Sequence, residues 1–324
     1  MSTTPIAPDV QLDQAHARRN ELAVRSQRKS FRDGLLIAAL APSAVLCLAV
    51  QVTFFHEGGA AATWLIGGET LAVFVVLMFS VLDLGSSHHE WIAHRMRAEL
   101  LRREFFLFRA RVGPYRHSTD ITAQADVQKR LLVLDQDIEE DVLALTAIED
   151  TSVDGGAQAP FAVTQILEYV DSRVRDQRVW FSKRAVQHEH RDRRLEYAAK
   201  AMLVFALLVA GTHFTDLLDR PNHESVRGRL MLIAAFVFPP LGAALVGVRA
   251  LLEGKRLSRA YQYNAHCLAE LERDFVTLAA DCQSGSVPDA AARFRRLVVE
   301  TEELLTAELR QWWIVMHPTP SVGA

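Results

Sequence analysis

Four apolar stretches, arranged as two pairs, constrain what this chain can become. They cover residues 34–55 and 64–82, then 198–218 and 230–248. At about 1.5 Å of rise per residue, a helix over each stretch matches a bilayer core of roughly 30 Å. A buried helix of a water-soluble domain rarely needs so long a run without charge. Each pair closes through a short connection, so each reads as a helical hairpin that enters and leaves a membrane.

Composition agrees with alternation between apolar spans and charged arms. The chain is 23% charged and 50% hydrophobic, and its mean hydropathy is +0.07. The net charge of −3 hides a segregation, with basic residues crowding the spans and acidic ones collecting in 135–150 and 300–308. Cys47, Cys267 and Cys282 form no C-x-x-C pair, so neither a disulfide framework nor a structural zinc site is expected. About thirty mostly polar residues precede the first apolar run, which is therefore read as an uncleaved span and not a cleavable signal.

Lys and Arg set orientation. Arg18, Arg19, Arg25, Arg28, Lys29 and Arg32 precede the first span, and Arg95, Arg97, Arg102, Arg103, Arg109 and Arg111 follow the second, while loop 56–63 has no basic residue. Lys183, Arg184, Arg191, Arg193, Arg194 and Lys200 surround the entry to the third span, and Arg249, Lys255, Arg256 and Arg259 follow the fourth. Loop 219–229 carries Arg220, Arg227 and Arg229 against Asp219 and Glu224. The balance places the ends of both hairpins, and both termini, in the cytoplasm.

The arms read as helices. Trp91, Ala98, Leu101, Phe105, Phe108 and Val112 make one stripe, which Gly113 and Pro114 end. Thr119 or Asp120 is placed to cap a helix over 121–148 carrying Leu131, Leu134, Ile138, Val142 and Leu145. Residues 151–160 read as a linker between a first module, 1–150, and a second, 161–324. Ile166, Val170, Val174, Phe181 and Ala185 share a face of a helix from about Val163 that runs unbroken into the third span. The fourth span is expected to run on through Leu252, Leu257, Tyr261, Leu268 and Phe275. A closing helix carries Phe294, Leu297, Val298, Leu305, Leu309, Trp312 and Met316. No strand pattern is present. The expected fold is all-α, with four spans and cytoplasmic helices forming a bundle.

Few residues suggest chemistry. Glu69 lies inside the second span behind Gly67 and Gly68, where a carboxylate must face a polar partner or a wet path, or reach the headgroups. Pro239 and Pro240 remove two backbone donors in mid-span, giving a hinge or a static kink. Thr212, His213 and Asp216 fit an outer vestibule or an ordinary interface edge. Glu69, Thr212, His213, Pro239 and Pro240 are therefore the pore or gating candidates. His89, Glu90 and His94 imitate a zinc-protease motif, but the histidines sit five apart and diverge on a helix. Phosphate-loop, dinucleotide and hydrolase motifs are absent. No enzyme, cofactor or metal is expected, and the basic clusters point to topology and anionic lipid instead of nucleic acid.

Trp91-Ile-Ala-His-Arg95-Met-Arg-Ala-Glu99-Leu-Leu, with Phe105-Phe-Leu-Phe108 and Val112-Gly-Pro-Tyr115, resembles the segment after the hairpin in the SMODS- and SLOG-associating two-transmembrane effector (SLATT) superfamily. Tyr169-Val-Asp-Ser-Arg173-Val-Arg-Asp176-Gln177-Arg-Val-Trp180-Phe181 is similar to the helix leading into the hairpin of another branch. Glu300, Glu303, Glu308 and Trp312 resemble that branch's closing helix. Two hairpin modules in tandem would cover about residues 15–315. The resemblance implies a bacterial inner-membrane effector of an anti-phage conflict system, silent until a second-messenger sensor or nucleotidyltransferase partner signals, and then membrane-permeabilising. It brings no catalytic residues.

The expectation is thus a multi-pass inner-membrane protein that contacts lipid, forms a homo-oligomer and opens the membrane on a cytoplasmic signal. Two alternatives stay open: a constitutive channel or transporter, and a non-conducting scaffold that recruits partners through its helical arms.

Overall fold

The computed structural model describes residues 7–55, 59–81, 86–116, 120–135, 162–219, 226–285 and 289–316. Among these no strand occurs. Helix α1 is Pro8–Phe54, α2 Ala60–Val81, α3 Ser86–Ala110, α4 Asp120–Asp135 and α5 Val163–Tyr169. A π-helical stretch, Val170–Arg175, leads into α6 (Asp176–Asp219), followed by α7 (Val226–Leu252), α8 (Gly254–Gln283) and α9 (Ala290–Met316). The predicted linker 151–160, and Ile138, Val142 and Leu145 of the predicted 121–148 helix, lie outside the described residues.

Local chemistry explains several boundaries. Helix α3 ends in a Schellman motif: the Val112 amide donates to the Leu107 carbonyl at 3.0 Å and the Arg111 amide to that of Phe108 at 3.2 Å. The left-handed position is Arg111 (φ 53°), not a glycine, and Gly113–Tyr115 then forms a 3-10 turn. Helix α5 starts where the Ala162 amide donates to Gln165 Oε1 at 3.3 Å, which satisfies one otherwise unpaired donor. The expectation that the fourth span runs on through Leu257 is corrected by Glu253, whose left-handed backbone (φ 42°) separates α7 from α8. Gly254 follows because a Cβ there would meet Asp192 Cβ at 3.1 Å and the His188 carbonyl at 3.3 Å.

The chain divides into two compact units. One comprises 1–28, 87–184 and 260–324; the other comprises 29–86 and 185–259. The first is built as a water-soluble bundle is, with large side chains inside. Ile92, Met96, Leu100 and Leu107 of α3 are fully buried, with Leu12 of α1, Ile166 of α5, and Leu268, Phe275 and Leu278 of α8. Helix α3 is enclosed on more faces than its predicted stripe: Trp91, Phe105 and Phe108 are only half-buried.

A charged group anchors this core. Glu302 of α9 is fully buried and accepts from Arg173 Nε at 2.9 Å and Nη2 at 2.6 Å, and from the Tyr169 hydroxyl at 2.9 Å. The Arg173 guanidinium lies 4.9 Å from the Phe106 ring centre. Tyr169 in turn packs on Phe106, Phe275 and Phe294, with centroids 5.7, 5.4 and 6.1 Å away. Tyr169 and Arg173 thus serve one carboxylate.

Removing one member strands a charge in apolar surroundings. Glu302→Leu is expected to cost about 3–5 kcal/mol, and adding Arg173→Met should recover much of that loss. Chemical melts of the detergent-solubilised chain check this; additive losses in the double variant would show that the two residues do not act as a pair.

Candidate functional site

The second unit follows the opposite packing rule. Among its described residues every buried apolar side chain is alanine: Ala44, Ala49, Ala62, Ala72, Ala185, Ala199 and Ala206. Its large apolar side chains are outside, with Trp64 82% and Leu207 73% exposed, and Leu71, Phe74, Phe205 and Phe236 all more than half so. Small residues inside and large ones outside are what helices need when lipid is the solvent, since close backbone approach then drives packing.

The helices form two antiparallel hairpins. Gly68 of α2 faces Cys47 Sγ of α1, where a Cβ would sit at 3.8 Å. Along the α6–α7 hairpin, contacts step in opposite directions on the two helices. Arg249 clasps Asp192 (Nε–Oδ1 2.9 Å, Nη2–Oδ2 3.0 Å) and Glu196 (2.8 Å). Next, a Cβ on Gly242 would lie 3.2 Å from Leu203; then Phe205 and Phe238 approach to 6.0 Å between ring centres. Thr212 Oγ1 meets Met231 Sδ at 4.0 Å near the far end.

Two cation–π contacts mark the ends of the apolar zone. Arg191 lies 5.6 Å from the Phe31 ring and Arg229 5.7 Å from the Phe54 ring. Phe31 and Phe54 are separated by about 35 Å of helix at 1.5 Å per residue. That is close to a hydrocarbon core of roughly 30 Å. Among the described residues three helical runs, 60–78, 163–212 and 228–283, contain a stretch long and apolar enough to cross a membrane, and α1 contributes the shorter apolar Pro42–Phe54.

The sequence candidates fall into this unit unevenly. Glu69 is half-buried in α2 and makes no hydrogen bond or ion pair with a described residue. Pro239 and Pro240 lie inside α7, which stays helical through both, flanked by the Phe238 and Gly242 contacts with α6. Thr212 is exposed and also donates to the Val209 carbonyl at 3.0 Å. His213 belongs to α6, and its side chain lies outside the described ones. The prolines thus lie in sequence between two α6–α7 contacts and Thr212 makes a third, whereas Glu69 belongs to the other hairpin. The imitation zinc motif resolves differently: His94 Nδ1 sits 3.5 Å from Arg19 Nη1.

Features the sequence did not single out are the Arg249–Asp192–Glu196 clasp, the alanine seams and a second buried carboxylate in the first unit. Glu104 accepts from Arg103 (2.9 Å), Arg130 (3.2 Å) and the Tyr115 hydroxyl (2.9 Å). Burial alone would raise Glu104, but Arg103 and Arg130 outweigh it and hold the carboxyl below its usual range. Burial, and then the Glu104 charge, push the Tyr115 hydroxyl up. The seams were signalled by Gly68 with Ala72, and by Ala199 with Ala206 one heptad on.

Gly242 and Gly67 separate seam packing from helix propensity. Gly67→Ala meets nothing within 4 Å and should stabilise by up to about 1 kcal/mol. Gly242→Ala should destabilise by about 1–3 kcal/mol by pressing on Leu203. Thermal unfolding in one detergent tests the contrast, which equal shifts in both variants would remove.

Residues 169–312 match the family described as SMODS and SLOG-associating 2TM effector domain 1, and residues 22–123 match a family described as protein of unknown function (DUF4231). No curated protein and no solved structure matches the chain.

Proposed function

We propose, from the match of residues 169–312 to the family described as SMODS and SLOG-associating 2TM effector domain 1, that the chain is a membrane-permeabilising effector of a bacterial conflict system. The observation that carries this reading is the coincidence of the family match with the α6–α7 hairpin, which exposes leucine and phenylalanine and buries alanine. Both hairpins cross the inner membrane, giving four spans, with the termini and remaining helices in the cytoplasm. Tandem modules, 1–150 and 161–324, each contribute one hairpin. The chain is not an enzyme and uses no cofactor. Its partners are lipid, further copies of itself and a second-messenger sensor or nucleotidyltransferase system.

The mechanism follows from side chains and continuity. Helix α6 is shared by both units and is unbroken from Asp176 to Asp219, so a signal received by cytoplasmic helices is passed along it. The Arg249 clasp and the Gly242 contact hold α6 against α7 in the silent state. Pro239 and Pro240 weaken α7 by two backbone hydrogen bonds at the point where it must bend. Several copies then line a path in which Glu69, which makes no hydrogen bond or ion pair with a described residue, meets water.

Induced expression should depolarise cells and admit a membrane-impermeant dye. Glu69→Leu should lower dye entry at least about tenfold, as loss of a pathway carboxylate predicts. Undiminished leakage would remove Glu69 from the pathway. Growth arrest without depolarisation would favour the scaffold reading, and current in reconstituted vesicles with no signal would favour a constitutive channel.

A further inference from the structure

Two carboxylates in the first unit feel the charge of one arginine, which is ion-paired to only one of them. On α3, Arg95 Nη2 contacts Glu99 at 2.6 Å, and both side chains are at least two-thirds buried. One turn before Arg95, Trp91 packs edge-on against Trp312 of α9 with centroids 5.6 Å apart. One turn before Trp312 lies Glu308, half-buried between the buried Leu305 and Leu309. The two helices are antiparallel here, so the tryptophan contact brings Glu308 to the level of Arg95 and Glu99.

The surrounding charges divide unequally. Glu99 faces Arg95, Arg102 and Arg173 as well as His16 of α1; burial would raise it, and these cations hold it below its usual range. Glu308 faces Glu99 and Arg95 on α3 and Tyr261 on α8. Arg95 is already committed to Glu99. Burial first, and then the Glu99 charge, push Glu308 up to about 7 against the pull of Arg95. His16, by contrast, is lowered by burial, which the charge of Glu99 only partly offsets.

We propose that Glu308, Glu99 and Arg95 form a proton-binding latch between α9 and α3, closed when Glu308 carries a proton and loosened when it loses it. Protonated, Glu308 is a neutral group beside an ion pair. Ionised, it places a second negative charge against one shared cation in a poorly hydrated seam. A carboxyl whose docked value lies above its free value stabilises docking fully below the free value of about 4.5. That contribution is lost as pH rises through about 7. Docking of α9 therefore weakens across the physiological range. His16 acts in the opposite sense, favouring the folded state above its ordinary value and opposing it below.

The test is hydrogen exchange of 301–316 in the full chain in nanodiscs, corrected for the intrinsic rate at each pH. Protection of this segment should fall about tenfold between pH 6 and 8.5. Glu308→Gln mimics the protonated form and should stay protected at both values. Glu99→Gln should shift the transition toward lower pH by removing the neighbouring charge. An infrared band of a protonated carboxyl that disappears near pH 7, and is missing in Glu308→Gln, reports the proton directly. A pH response that survives in Glu308→Gln, or no loss of protection in the unaltered chain, would falsify the latch. Neither readout depends on leakage, so the latch and the effector function fail separately.

Discussion

The side chains of 29–86 and 185–259 are packed against the rule for proteins in water. Leaving a leucine or phenylalanine exposed instead of buried forfeits about 1.5–3 kcal/mol in water. Trp64, Leu71, Phe74, Leu203, Phe205, Leu207, Leu208 and Phe236 are among many exposed at once. Scaled by their partial exposure, their sum is comparable to the 5–15 kcal/mol by which whole domains are stable. Alanine inside and leucine outside makes sense only when the surroundings are as apolar as leucine itself. Packing must then come from backbone proximity, which Gly68 and Gly242 permit and larger residues would prevent. Arg191 on Phe31 and Arg229 on Phe54 supply cations at the two limits of this apolar zone.

The other unit shows what changes when apolar burial is available as a driving force. Phenylalanine, isoleucine and leucine move inside, and polar groups that follow them must be fully satisfied. Glu302 and Glu104 each accept from arginine and from a tyrosine hydroxyl. Such clusters contribute less net stability than apolar packing of equal volume. Their geometric demand is stricter: Tyr169, Arg173 and Glu302 come from segments more than a hundred residues apart. A slipped register between the π stretch and α9 would leave the carboxylate unpaired.

Much of this organisation was legible because it is periodic. The stripe Ile166, Val170, Val174, Phe181 and Ala185 is buried throughout, as are Tyr261, Leu268 and Phe275, and Phe294, Val298, Leu305 and Leu309. What escaped was not periodic. Arg103 entered the sequence pattern only as a topology-setting cation and Glu104 not at all, and the return of Tyr115 and Arg130 makes their burial tolerable. Glu302 stands beside Glu303, which is exposed, so charge type alone does not separate a core anchor from its solvated neighbour. The break at Glu253 carries no proline, and it is accompanied by the close approach of Gly254 to Asp192, a residue 62 positions earlier. Basic residues counted for topology, Arg249 above all, also turn out to hold the hairpin closed.

The candidate site residues illustrate the same division. Proline, glycine and a carboxylate within an apolar run are visible as exceptions, so Glu69, Pro239 and Pro240 stand out without any structure. Their partners are not visible, because contact across a hairpin depends on which faces meet. Pro239 and Pro240 acquire meaning from Phe205 and Leu203, which hold α6 to α7 on either side of them. The backbone loses two donors between the Phe238 and Gly242 contacts, while the Arg249 clasp fixes one end of the same hairpin.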